Sequence, residues 1–428
     1  MKPHCTLKPL LLILGCTWLL ALATHALFAI DAKPVGDPST FDGMARQLLD
    51  KGFLGETWSE YRSWRAPGYP TFIAGIYAII GRSPGIVVAI QYLMLGFIHC
   101  GLYLIARELW EDERSARISA ALAVIYGPLY YFAGILYAET LFLTLVTWAI
   151  YGTVRILKQK EDRIPILLGL LVGILWGAAV LTRTALLYYP LFAPGLIGCG
   201  LIVRWRSQNI DFLHTAGKRL VWVFVGLIIV VSPFTVRNYL IHGKFLPLGS
   251  YGGYNLYMAQ YPLQKREHYS RIPSEMWPEI DESIAEVQNA NDEVDQDRIL
   301  SEMAADIVKA HPFRFAKKCA IQFIKFFTRS GGYGTGVLKY VSLAQYLAIV
   351  GLSLLALFKT RNTLALGLLG SYLLYFGLIH SVTFSMGRLK EAIAVSLIVL
   401  AGKGLALLWS SLPQLSEVRE PSVSVVKH

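Results

Sequence analysis

"APGYPTFIAGIYAIIG", residues 66–81, is apolar enough to enter a bilayer and too short to cross it comfortably. A helical span takes about 20 apolar residues, and this run opens with Pro67 and Pro70, neither of which can donate within a helix interior. Its reading decides the topology of all that follows. Taken as a crossing, it inverts every later loop and puts the basic ones outside. Taken as an interfacial or re-entrant segment on the outer side, it leaves Lys and Arg on one face, as the positive-inside rule prefers.

The rest of the chain calls for such a choice because it is built of apolar blocks. Hydrophobic residues make up 54% of the 428, and the mean hydropathy is +0.47, so a multi-spanning, all-α membrane protein is expected. The net charge of +11 would suggest nucleic acid in a soluble chain. Here the basic residues sit in short loops beside apolar blocks, where they set orientation, and nucleic-acid binding is set aside. Cys5, Cys16, Cys100, Cys199 and Cys319 have neither disulfide-framework nor metal-ligand spacing.

Spans are expected near 9–30, 84–106, 114–133, 137–157, 164–182, 184–203, 218–236, 337–358, 362–384 and 390–411, about ten in all. The first apolar run continues past Cys16 to Ile30, longer than the ~7–15 residues of a signal core, and reads as a retained span. Basic clusters at Lys2 and Lys8, in "ARELWEDERSAR", in "RILKQKEDR", in "RWRSQNIDFLHTAGKR", in "KTRN" and in the C-terminal tail then all face the cytoplasm. Three parts follow: a transmembrane catalytic module over 1–236 with a first outer loop over 31–83, an outer helical subdomain over 237–336, and a transmembrane module with a cytoplasmic tail over 337–428. Within the subdomain, Ile299, Met303, Ile307 and Val308 recur at helical spacing up to a stop at Pro312, and "FRFAKKCAIQFIKFF" reads as an interfacial helix.

Several charges stand at span ends on the outer side. Arg183 in "LTRT", Arg237 in "TVRN", Arg388 in "MGRLKEA" and Glu139 in "YAETLF" share that face with Arg62, Arg65 and Arg82. An arginine at a span end is often an anchor that snorkels to headgroups. Guanidinium groups gathering where the positive-inside rule disfavours them point instead to a phosphate held at the bilayer edge, because the planar fork binds phosphate bidentately and stays charged. Asp37 in "DPSTFDGMARQLL" precedes a proline and an amphipathic run, as an N-cap does. A carboxylate there also serves as a general base if an acceptor hydroxyl reaches it. Asp31 and Asp42 are expected to be solvated.

The order "GDPSTFDGMARQLLDKG … RAPGYPTFIAG", "YAETLF", "LTRTALLYYP", "VRNYLIHGKFLPLGSYGGYNLYM" and "GRLKEAIAVSLIVLAGKGL" resembles the GT-C glycosyltransferases over nearly the whole chain, least in the acidic stretch 262–300. The nearest branch is the bacterial family-39-like group, similar to protein O-mannosyltransferases and the aminoarabinose transferase of lipid A. The resemblance implies a GT-C-type helical bundle in a bacterial inner membrane, moving a sugar from a polyprenyl-phosphate donor to an acceptor hydroxyl at the outer face with inversion. The family's first-loop pattern of Asp followed four residues on by Tyr or Phe falls on Asp37 and Phe41, which makes Asp37 the expected base. A second acidic position falls on Glu139, where many relatives carry Asp. Arg183 and Arg388 match arginines that face the donor phosphate, and Arg65 and Arg237 are assigned with them. Phe41, Tyr69, Tyr251 and Tyr254 are expected to shape the cavity on the acceptor side. The acceptor stays open among glycan, lipid and protein.

"GSYGGYNLY" and "RSGGYGTG" lack phosphate-loop spacing. No metal site is specified, so a divalent cation stays open as a cofactor. The scattered histidines include His380 inside a span, read as packed. Two readings from other classes remain beside the enzyme: a flippase or transporter for a polyprenyl-linked glycan, and a non-catalytic subunit of a glycan-assembly complex. The first lacks paired charges near span centres, and an internal repeat is not evident.

Overall fold

The computed structural model describes residues 4–28, 36–56, 61–159, 166–193, 207–263, 277–290, 292–328, 337–383 and 387–411. Asp31, the end of the expected sixth span, the glycine-rich stretch 329–336 and the tail from 412 lie outside the described residues. Among the described residues all regular structure is helical. Seven helices are long and apolar enough to cross a membrane: α1 (His4–Phe28), α4 (Pro84–Trp110), α7 (Glu139–Lys158), α10 (Ser207–His242, through its part from Gly217), α15 (Val337–Lys359), α16 (Thr363–Val382) and α17 (Arg388–Ser411). Shorter apolar helices fill the places of other expected spans: α8 (Ile166–Thr182) and α9 (Thr184–Ala193). The segment 66–81 forms α3 (Gly68–Ile80), whose 13 residues reach only about 20 Å. It packs on α2 (Asp37–Lys51) and on α8.

One expected span is broken. Residues 114–133 form α5 (Glu113–Ile125) and α6 (Gly127–Ala133), separated at Tyr126, whose backbone is extended. The cause is Pro128, which has no N–H to give and restricts the residue before it. A break in a helix leaves backbone groups without their intrahelical partners. Gln345 of α15 meets both needs, donating to Ile125 O at 2.8 Å and accepting from Gly127 N–H at 3.2 Å.

The bundle core is centred on α4, where Leu95, Ile98 and Leu102 are sealed, with α1, α5, α7 and α17 against it. α8 and α10 approach closely along Gly169, Gly173 and Gly177, spaced four apart. A Cβ on Gly173 would lie 2.1 Å from Val223 O. Membrane helices have little hydrophobic drive to associate, so small residues that admit backbone contact carry the packing. At one end of the bundle, Arg155 pairs with Glu108, Lys158 with Glu111 and Lys403 with Asp112. The predicted site charges gather at the other end.

That second end carries a helical subdomain with its own apolar cluster. α11 (Gly252–Gln260), α12 (Trp277–Ala290) and α13 (Glu293–Ala310) bury Tyr257, Met258, Ile280, Ile284, Leu300, Ala304 and Ile307. Asp292 starts α13 by accepting from Val294 N–H and Asp295 N–H, both at 2.9 Å. The amphipathic α14 (Pro312–Thr328) follows and packs on α16. Lys318 of α14 and Gln260 of α11 both donate to Val382 O, at 3.0 and 2.7 Å, gripping the end of α16 just before Arg388.

Candidate active site

The site begins at Gly36, whose φ of +71° is a left-handed conformation suited to glycine. Gly36 is the N-cap of α2, and Pro38 occupies the first turn. Asp37 is therefore one residue inside the helix, and its side chain does no capping, contrary to the N-cap expected of it. Freed from that task, the carboxylate meets two guanidinium groups. Arg65 Nη1 lies 3.3 Å from Oδ1, and Arg388 Nη1 donates to Oδ2. Burial alone would raise the Asp37 carboxyl. Arg388 and Arg65 outweigh it and hold the pKa below the ordinary 3.8.

Each arginine is held from a further side. Arg65 Nε lies 3.1 Å from Glu56 Oε1, and its guanidinium sits 5.9 Å from the centre of the Phe41 ring. Arg388 lies over Tyr137 at 5.2 Å, and Glu139 is close enough to act on it electrostatically. Arg183, just past the end of α8, places Nη2 3.7 Å from Glu139 Oε1. Gly68 of α3 lets α3 rest against that end of α8, since a Cβ there would lie 2.8 Å from Leu181 O. Five chain segments thus bring together three carboxylates (Asp37, Glu56, Glu139) and three guanidinium groups (Arg65, Arg183, Arg388), with a formal charge of zero. The side chains of Glu56 and Glu139 are 0% and 5% exposed, while Asp37 and Arg388 are 26% and 32% exposed. Glu56 and Glu139 are sealed, and the Asp37–Arg388 pair forms the partly exposed side of the cluster.

Aromatic rings wall the cluster. Phe41 packs edge-on to Tyr69 at 5.1 Å, and Tyr69 donates to Gln91 Oε1 at 2.6 Å. Gln91 in turn donates to Ala133 O and Ile135 O, tying α3, α4 and the turn before α7 together. Tyr251 stacks on Tyr254 at 5.1 Å and leans on Trp64 at 4.9 Å. Burial raises the Tyr251 hydroxyl, with Arg65, Asp37, Arg388 and Glu56 all near enough to influence it. Tyr254 stands behind it, against the subdomain cluster.

Arg237 is placed elsewhere. Its Nη1 donates to Ser63 Oγ and Asn238 Oδ1, and its Nη2 to Leu54 O and Arg62 O. It clamps the loop that carries Glu56 and Arg65. Glu293, at the start of α13, holds the same loop from the subdomain side. It accepts from Arg62 N–H at 2.9 Å, Ser63 N–H at 3.1 Å and the Ser250 hydroxyl at 2.9 Å, with His242 Nε2 at 3.2 Å. Asp42 corrects a second expectation. It is only 2% exposed, accepting from Tyr77 at 2.7 Å and from Arg82 through both Nε and Nη2, and so fastens α2 to α3.

Sequence reading missed Glu56, Tyr137 and Glu293. Glu56 and Tyr137 stand in loops without periodicity, and Glu293 looks like any acid in a helix's first turn. Among the described residues, no three His, Cys, Asp or Glu side chains gather as a metal site would.

Residues 64–235 match the family model described as dolichyl-phosphate-mannose-protein mannosyltransferase. Among solved structures, the chain is similar to the oligosaccharyltransferase of Archaeoglobus fulgidus in its apo form, with a TM-score of 0.59 and 12% identity over 96% of this chain and 51% of that one. The same figures hold for the archaeal enzyme in complex with an inhibitory peptide and a dolichol-phosphate. ArnT from Cupriavidus metallidurans bound to undecaprenyl phosphate aligns over 95% of this chain and 79% of that one, at 10% identity and a TM-score of 0.44. The chain spans about half the length of the archaeal protein. Among curated proteins, none matches it.

Proposed function

We propose that this chain, a multi-pass membrane protein of the GT-C fold, is a glycosyltransferase that moves a sugar from a polyprenyl-phosphate donor to an acceptor hydroxyl, working at the outer face of a bacterial inner membrane. The observation that carries the reading is the position of Asp37, a carboxylate released from capping and held between two guanidinium groups at the mouth of the cluster. The matched family description names a dolichyl-phosphate-linked sugar, and the archaeal enzyme of similar fold holds dolichol-phosphate. Both support a lipid-phosphate donor.

The chemistry follows from the charges. A sugar joined to a lipid phosphate already has a good leaving group. The enzyme has to deprotonate the acceptor, align it behind the anomeric carbon and stabilise charge growing on the phosphate. Asp37 takes the acceptor proton as its oxygen bonds to the anomeric carbon. The carbon–oxygen bond to phosphate breaks, its electron pair leaves on the lipid phosphate, and the anomeric centre inverts. Arg388 and Arg65 meet that growing charge, Arg183 adds to it from behind, and Glu139 keeps Arg183 and Arg388 aimed. Phe41 and Tyr69 on one side and Tyr251 and Tyr254 on the other exclude water and line the acceptor path. Arg237 supports the donor site by holding the loop that bears Arg65.

The test is transfer from radiolabelled polyprenyl-phosphate sugars by membranes carrying wild-type protein or Asp37→Asn, at matched expression and orientation. Transfer by the wild type that is lost in the variant while donor binding survives is expected. Binding without transfer by the wild type from any donor would move the chain to the class of lipid-glycan carriers.

A further inference from the structure

Arg65 has two carboxylate partners in different circumstances. Asp37 stands at the mouth, 26% exposed, against Nη1. Glu56 is fully shielded and stands against Nε. A carboxylate taken out of water at that depth is costly unless a cation is fixed beside it.

Glu56 is itself pinned by the backbone around it. Its N–H donates to Tyr61 O at 2.7 Å, and Arg237 holds Leu54 O at 2.9 Å. A Cβ on Gly55 would lie 3.1 Å from Tyr61 O, close enough that the turn would have to give by a few tenths of an ångström. The guanidinium is a rigid fork whose edges engage separate partners at once. A phosphate entering the mouth meets the Asp37 edge of that fork and not the Glu56 edge.

We propose that Glu56 is a positioning residue of the donor site, anchoring the Nε edge of Arg65 so that its Nη edge passes from Asp37 to the donor phosphate. This rests on the donor-site reading given above. Without Glu56, Arg65 settles on Asp37, and the incoming phosphate has to break a stronger pair. Asp37 is then the competitor, so removing it relieves the defect.

The experiment measures binding of polyprenyl phosphate, without sugar, to the purified full-length protein in detergent, read by tryptophan fluorescence with Trp64 beside Arg65 as reporter. Glu56→Asp keeps the charge and shortens the reach. Affinity is expected to fall about tenfold or more, the scale of one shielded ion pair drawn out of position. Glu56→Gln is expected to weaken binding as well, although loss of a negative charge alone would tighten it. Asp37→Asn is expected to tighten binding several-fold more in either Glu56 variant than it does alone in the wild-type background, a coupling that a purely structural defect would not produce. Thermal unfolding reports whether each variant is folded, and Glu56→Asp carries the test if the glutamine variant is not.

Unchanged or tighter binding in both Glu56 variants, or an Asp37→Asn effect of the same size with and without Glu56, overturns the proposal and leaves the donor site standing. Failure of the wild-type protein to bind polyprenyl phosphate overturns both together.

Discussion

Replacing Asp37 by asparagine separates the two tasks that the proposed function gives to one side chain. As a base, the carboxylate contributes a factor of about 10²–10⁴ to turnover. As a partner of Arg65 and Arg388 it also occupies the groups meant for phosphate. The three side chains are 26%, 23% and 32% exposed, so each pair contributes up to about 1 kcal/mol. Releasing both is expected to tighten donor binding by up to about thirtyfold. Turnover and KM therefore fall together, where a general structural defect would lower turnover and raise KM. Initial rates across a donor titration, with direct binding of polyprenyl phosphate beside them, read both quantities. Turnover within tenfold of wild type would remove Asp37 from the chemistry.

The pH dependence carries the same logic. In the empty site the arginines hold the Asp37 carboxyl below 3.8 despite its burial, so these pairs add stability that is complete above the unfolded value and lost as pH falls through the folded one. Once phosphate draws the guanidinium groups away, the carboxyl rises. The acid limb of kcat, which reports the complex, is then expected at higher pH than that of kcat/KM, which reports the free enzyme. Coincident limbs would refute the hand-over of arginine from Asp37 to phosphate.

Arg388→Lys loses the fork at the mouth and is expected to weaken polyprenyl-phosphate binding about tenfold with little change in thermal stability. Arg237→Lys should do the reverse, because its donors serve Ser63, Asn238, Leu54 and Arg62. A lower unfolding temperature with unchanged affinity in the folded protein is the expected result, and the opposite pattern would exchange their roles. Glu293→Ala strands the Arg62 and Ser63 N–H groups and the Ser250 hydroxyl. It is expected to cost about 3–5 kcal/mol, and a loss below about 1 kcal/mol in denaturant unfolding would contradict the clamp. Burial pushes the Lys318 amine down to about 8 from 10.5. The unfolded chain then binds more protons between those values, so stability rises with pH across that window. Lys318→Met should flatten this rise in unfolding scans, and an unaltered slope would assign it to another group.

Legibility in the sequence followed the range of the physical signal. Pro38 marks the start of α2 locally and Pro312 the end of α13, although the face that α13 buries is Leu300, Ala304 and Ile307 rather than the stripe through Ile299, Met303 and Val308. The Gly127–Pro128 pair marks a break, yet a hydropathy window runs straight through it because both flanks are apolar. Gly169, Gly173 and Gly177 spell a small-residue face in plain view, although nothing local says that α10 is its partner. Asp42 reads as solvated from α2 alone, because the groups that bury it, Tyr77 in α3 and Arg82 just after it, lie across a loop from α2. Glu56 has no local signature at all. Arg237 and Arg388 look alike at span ends, and only the folded chain shows one facing carbonyl oxygens and the other a carboxylate.

The charge count gives a physical reason for such a cluster to persist in a membrane protein. Three carboxylates against three guanidinium groups cancel, so the empty site avoids the cost of uncompensated charge in a poorly polarisable setting. A donor phosphodiester adds one negative charge, and the phosphate released by transfer carries close to one more. On the proposed path the acceptor proton arrives on Asp37 in the same step, cancelling its charge as the phosphate gains its second. The net charge at the arginines is then the same before and after transfer. A base placed far from the arginines could also accept the proton, but it would leave the second phosphate charge uncompensated where it forms. That is a physical reason for Asp37 to share Arg65 and Arg388 with the phosphate, and for Glu56 and Glu139 to stay sealed behind them.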